Sequence, residues 1–70
     1  MPTFGEKLRS LRQQHGITLR EVAEAAMTST GYIADLEAGR RKPSLELAVK
    51  IADYFQVPLD VLARDELELD

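Results

Sequence analysis

Residues 18–39 read Thr18-Leu-Arg-Glu-Val-Ala-Glu-Ala-Ala-Met-Thr-Ser-Thr-Gly-Tyr-Ile-Ala-Asp-Leu-Glu-Ala-Gly39. Thr18-Leu-Arg-Glu21 is a capping box: the Thr18 hydroxyl accepts the Glu21 amide, and the Glu21 carboxylate accepts the Thr18 amide. Ile17, just before it, serves as a hydrophobic staple toward Val22. The helix so started runs to about Ala26, where Ala23 and Ala26 leave an inner face thin enough for another helix to cross closely. Met27-Thr28-Ser29 is a short connection, and Ser29 is a natural N-cap. A second helix follows from Thr30 to about Ala38, with Ile33 and Leu36 inward and Gly39 as its stop. Two helices joined by about three residues have the spacing of a helix-turn-helix.

The flanks extend the same pattern. Phe4, Leu8, Leu11 and His15 recur on one helical face, with Glu6, Lys7, Arg9 and Gln13 opposite. Gly16 ends that helix. Beyond Gly39 comes a cationic loop, Arg40-Arg41-Lys42-Pro43. Ser44 then caps a helix that turns Leu45, Ala48, Ile51, Ala52 and Phe55 to one side. Val57-Pro58 breaks it, and Pro58 suits the first turn of a fifth short helix with Leu59 and Leu62 inward. Helices are expected over about 3–15, 18–26, 30–38, 45–56 and 59–64, with an acidic tail over 65–70. No strand pattern or repeat competes. The expected fold is all-α: five helices in one domain spanning 1–70.

At 70 residues a single core is small, and helix packing or a partner subunit must carry it. The chain has no Cys, which removes disulfides and thiolate metal sites and favours a reducing compartment. No apolar run approaches the roughly 20 residues that span a bilayer. The start, Met-Pro-Thr-Phe-Gly-Glu, has no basic leader before an apolar stretch, so no secretory signal is expected. The net charge of −3 is unevenly spread. Residues 1–42 hold seven Lys/Arg against five acids, and residues 43–70 hold two against seven. One end can therefore present a basic face despite an acidic total.

Leu8-Arg-Ser-Leu-Arg12, Gly16-Ile-Thr18, Glu21-Val-Ala23, Tyr32-Ile33, Leu36-Glu-Ala-Gly39 and Pro43-Ser44-Leu45 resemble, in order and spacing, the lambda-repressor-like (XRE, Cro-type) helix-turn-helix family. The resemblance covers residues 4 to 63. It implies five helices, with helix 30–38 in the major groove of DNA and helix 18–26 across the backbone. It also implies a homodimer on a near-palindromic operator, with half-sites about 34–36 Å apart. The chain departs from the family at four places. Leu19 stands where a Gln usually touches phosphate. Met27 stands where the turn commonly has Gly, so that turn must be reached by another backbone route or with strain, and Gln56 replaces another common Gly at the stop of the fourth helix. The recognition helix offers Thr30, Gly31, Tyr32, Ala34 and Asp35 rather than Gln, Arg or Lys.

The candidate DNA-binding residues are Thr18, Thr28, Ser29, Thr30, Gly31, Tyr32, Asp35, Arg40, Arg41 and Lys42. Thr30 opens the recognition helix, where side chains reach base edges, and its methyl suits a thymine methyl. Tyr32 either offers its hydroxyl and ring to the groove or packs against a neighbouring helix. Gly31 costs helix stability and permits close approach of the backbone to DNA. Asp35 either accepts from a cytosine amino group, faces solvent, or partners Arg40 or Arg41. The three cations at 40–42 suit phosphates, which give affinity and salt dependence but no sequence information. Thr18 and Ser29 are first of all caps, at helix ends whose amides also suit phosphate.

Arg12 and Glu37 sit where the family places a buried ion pair joining the first helix to the end of the third. Val57, Leu59, Val61, Leu62, Leu67 and Leu69 supply more apolar surface than one short helix buries, and are read as core or as a dimerisation surface. His15 is the lone histidine, at a helix C-terminus, and no metal or cofactor is expected. No nucleophile arrangement or substrate pocket is suggested, so no enzymatic activity and no small-molecule substrate are expected. The function expected is that of a sequence-specific regulator binding double-stranded DNA, a repressor or controller located in the cytoplasm with the nucleoid. The competing reading is a protein-interaction module, such as an antitoxin or co-regulator, that uses the same fold.

Overall fold

In the computed structural model, which describes residues 3–62, four helices follow one another: α1 (Phe4–Gln14), α2 (Leu19–Ala25), α3 (Thr30–Ala38) and α4 (Leu45–Phe55). A helical turn over residues 59–62 closes the described chain. Among the described residues there is no strand. The expected helix ends 3, 15, 18, 26 and 56 turn out to be the cap residues themselves, one position outside each helix.

Every start has a local chemical cause. Thr18 and Glu21 form the capping box, with the Glu21 carboxylate accepting the Thr18 amide at 2.8 Å and the Thr18 hydroxyl accepting the Glu21 amide at 3.1 Å. Thr3 and Glu6 form a second box at α1, at 2.8 and 3.2 Å. Ser29 Oγ accepts the Tyr32 amide and Ser44 Oγ accepts the Leu47 amide, both at 3.1 Å. Each bond satisfies a backbone donor that the first helical turn leaves orphaned.

α3 lies centrally, packed on both α1 and α2, while α4 packs on α2. Phe4, Leu8, Val22, Ile33, Leu36, Ile51 and Leu62 are the largest fully buried side chains. Ala23 and Ala26 are also buried, so the thin face of α2 is where the other helices come close. Leu11, Ile17 and Leu19 pack against this core from its edge. Leu19 thus has an apolar role in place of the expected Gln.

One core assignment is corrected. Leu45 is 57% exposed, and Leu47 takes its place inside. The buried stripe of α4 is Leu47, Ala48, Ile51, Ala52 and Phe55. Leu45 lies two residues before Leu47, about 200° around the helix from it, and so points to solvent.

The two turns that lack glycine use the left-handed backbone all the same. Met27 has φ 59° and Gln56 has φ 57°. Met27 therefore takes the glycine route itself, with its side chain left in solvent. A closer constraint lies at Gly5, buried in the first turn of α1. A Cβ there would collide with the carbonyl oxygen of Leu36 and reach 3.0 Å from that of Glu37. Hydrogen in place of a side chain lets α1 press directly on the end of α3.

Candidate nucleic-acid interface

α3 is positioned from both ends. At its C-terminus Arg12 Nε donates to Glu37 Oε2 at 2.7 Å, and Nη2 donates to Oε1 at 3.1 Å. The same guanidinium donates from Nη1 to the Ile17 carbonyl at 3.2 Å. One side chain of α1 therefore ties the end of α3 to the loop that leads into α2. The hydrogen bond to Glu37 raises the Arg12 pKa above its ordinary value, with burial opposing it. The bidentate fork also fixes an angle, which a single point charge would not.

At the N-terminus Ser29 fixes the first turn, and the outer face beyond it is open. Thr30 and Gly31 are exposed, and a Cβ built on Gly31 meets nothing within 4 Å. The protein itself does not require glycine there. Thr28, Ser29, Gly31, Tyr32, Asp35 and Arg41 line one shallow hollow on this face. Tyr32 is half-buried: its ring packs on the edge of the core and also carries the Arg41 guanidinium 5.5 Å from its centroid. The ring thus belongs in part to the core and in part to the outer face that it shares with Arg41.

Asp35 meets the loop cations. Its Oδ1 is 3.3 Å from Arg40 Nε and its Oδ2 is 3.6 Å from Arg41 Nε. Gly39, left-handed at φ 81°, turns the chain back, and the Arg40 amide donates to the Asp35 carbonyl at 2.9 Å. That reversal brings Arg40 and Arg41 over the helix they follow. Both remain exposed, at 68% and 63%, while the Asp35 side chain is 35% exposed. Lys42 is exposed in the same loop. Thr18 lies apart from the hollow, and its amide is already engaged by Glu21, which leaves it the role of a cap rather than a phosphate donor through that amide.

The apolar candidates divide. Leu62 is 1% exposed and belongs to the core. Val57 and Leu59 are half-buried against that core, and Val61 is 57% exposed. Leu67 and Leu69 lie outside the described residues. Between α1 and residues 57–62 runs a hollow of about 300 Å³, lined by Glu6, Lys7, Ser10, Leu11, Val57, Val61 and Leu62. Lys7 Nζ crosses it to donate to the Val61 carbonyl at 2.7 Å. The His15 ring packs against Phe55 in a tilted arrangement, with centroids 5.1 Å apart and the planes at 56°. Among the described residues no group of three or more His, Cys, Asp or Glu is placed to hold a metal. No described helix is long and apolar enough to cross a membrane.

Sequence reasoning did not find Gly5, whose partner is more than thirty positions away, or the Arg41–Tyr32 contact. The Thr3-x-x-Glu6 box carries the same signal as Thr18-x-x-Glu21 and is legible by the same rule.

Comparison with known proteins agrees with the helical architecture. A family model described as helix-turn-helix matches residues 8–62. The transcriptional regulator ClgR of Mycobacterium tuberculosis is 44% identical over 61 residues, covering 87% of this chain and 54% of the regulator. This chain therefore spans about half the length of that relative. The crystal structure of the clp gene regulator ClgR from Corynebacterium glutamicum superposes with TM-score 0.81 at 38% identity, covering 87% of this chain and 65% of that one. The restriction-modification controller protein C.AhdI from Aeromonas hydrophila superposes with TM-score 0.79 at 29% identity, covering 84% of this chain and 89% of that one.

Proposed function

The chain belongs to the helix-turn-helix family, and from that premise we propose that it is a sequence-specific transcriptional regulator that binds double-stranded DNA. One observation carries the reading. The Ser29-capped, solvent-facing start of α3 and the guanidinium of Arg41 line the same hollow. A major groove filled by α3 therefore brings phosphates to the 40–42 loop in the same docking. Thr30 and Tyr32 are the base readers in this proposal, and Arg40, Arg41 and Lys42 hold phosphates. Asp35 meets a cytosine amino group, a donor that an acid can accept from in that groove. α2 crosses the backbone, with Thr28 and Ser29 at the rim. The protein works by occupancy, as a repressor or as a controller of the kind that the Aeromonas relative's name describes. It acts in the cytoplasm.

The site is read twice by a homodimer. Val57, Leu59 and Val61 supply apolar surface that a second copy covers, which suits a near-palindromic operator.

The test is selection from a random duplex DNA pool with the purified chain. Enrichment of a two-fold-symmetric motif is expected. Log affinity for it should fall against log salt with a slope of about −4 to −7, from roughly four to eight neutralised phosphates. Arg41→Glu should abolish binding. A folded protein that enriches nothing and shows a flat salt response would overturn the reading. It would point instead to a protein-interaction module, such as an antitoxin or co-regulator.

A further inference from the structure

Asp35 is an acid on the face that is read as meeting a polyanion, and it is paired with two exposed cations of the adjoining loop. We infer that Asp35 is a selectivity device: an internal counter-ion that competes with phosphate for Arg40 and Arg41 and so weakens binding to the wrong DNA more than to the right one. The inference rests on the DNA-binding reading above and adds a role for a residue within it.

The geometry supports competition rather than simple neutralisation. The two carboxylate oxygens address different guanidiniums, at 3.3 and 3.6 Å. Both distances are long for a bidentate grip, and both arginines are mostly exposed. These are loose contacts in water, which a phosphate can replace. The Arg12–Glu37 pair, at 2.7 Å and largely buried, is the contrast within the same molecule. Arg41 has a second support in the Tyr32 ring, so its guanidinium keeps its place on the face when the carboxylate is displaced.

Displacement has a consequence for Asp35. Once phosphates take the arginines, the carboxylate is left in the strongly negative potential of the groove. On an arbitrary sequence nothing compensates it. On a sequence that offers a donor, such as a cytosine amino group, the charge is satisfied and the arginines are released to the backbone at no loss. Discrimination then arises from a penalty against wrong sequences as much as from attraction to the right one. The same pairing keeps Arg40 and Arg41 from holding any duplex indiscriminately.

The experiment uses the purified chain with two labelled duplexes: the motif recovered by selection, and a scrambled duplex of equal length and composition. Affinity for each is measured across a range of salt. Asp35→Asn should bind the scrambled duplex about tenfold more tightly, with a salt slope steeper by about 0.9 per bound subunit. Its gain on the selected motif should be smaller, so the ratio of the two affinities falls. Asp35→Glu should restore the wild-type ratio. In a background where Arg40 and Arg41 are both Gln, the Asp35→Asn gain should vanish. A loss on both duplexes would overturn the inference and make Asp35 an orienting residue. An unchanged ratio, or a gain that survives without the arginines, would overturn it also. Wild-type protein that binds neither duplex would instead overturn the DNA-binding reading itself.

Discussion

Arg12 grips Glu37 with two parallel hydrogen bonds and, with its third nitrogen, holds the carbonyl of Ile17. The first helix, the loop before the second and the end of the third are thereby locked at one point. The side chains are only 17% and 8% exposed, so removing one partner leaves a charge with little water to take its place. Arg12→Met or Glu37→Leu alone should each cost about 3 kcal/mol in urea unfolding. The double substitution should cost clearly less than the sum, and a double-mutant cycle reads the coupling directly.

Two glycines in helices should respond oppositely to alanine. Gly5→Ala drives a Cβ into the Leu36 carbonyl oxygen, and backbone cannot swing aside as a side chain can. The melting temperature should fall, by the equivalent of about 2–3 kcal/mol, in spite of the better helix propensity of alanine. Gly31→Ala meets open space and should stabilise the fold by about 0.5–1 kcal/mol. The same Gly31→Ala variant should bind DNA less well, because the added methyl stands where the proposed groove floor comes closest.

The left-handed residues give a matched set. Met27→Gly and Gln56→Gly should each raise stability by about 1 kcal/mol, since the backbone at φ 59° and 57° is strained for any side chain. Gly16→Ala and Gly39→Ala, at φ 65° and 81°, should lower it by a similar amount. Thermal melts of the four variants check the signs together.

Tyr32 has a ring that carries a cation and a hydroxyl whose role is separable from it. Tyr32→Phe should keep the ring under Arg41, and Tyr32→Leu should lose it. The leucine variant should bind the selected duplex about threefold more weakly than the phenylalanine variant, the scale of an exposed cation–π contact. Titration of labelled DNA with each variant makes the comparison.

Legibility in the sequence followed the range of the interaction. Caps lie within four residues of what they cap, so Thr18, Ser29, Ser44 and the stop at Gly39 could be read directly. The inner face of α4 was misread at its start, because Leu45 fits the helical period as Leu47 does and only packing chooses between them. Gly5 was invisible, because its contact is with backbone brought there by the folded chain. Asp35 shows the boundary most clearly. The sequence names its two arginine partners as one of three alternatives. The choice depends on how sharply Gly39 reverses the chain, which is a backbone angle and not a residue type.

That reversal has a practical consequence. Because the chain doubles back within one turn of α3, the outer helix face, the acid on it and the two arginines beside that acid all belong to residues 29–41. They form a portable cassette. Moved whole into another helix-turn-helix scaffold, the cassette carries its own counter-ion with its cations. A transplant of the helix alone, ending at Ala38, would separate the carboxylate from the guanidiniums, and so would exchange only half of the electrostatic instruction.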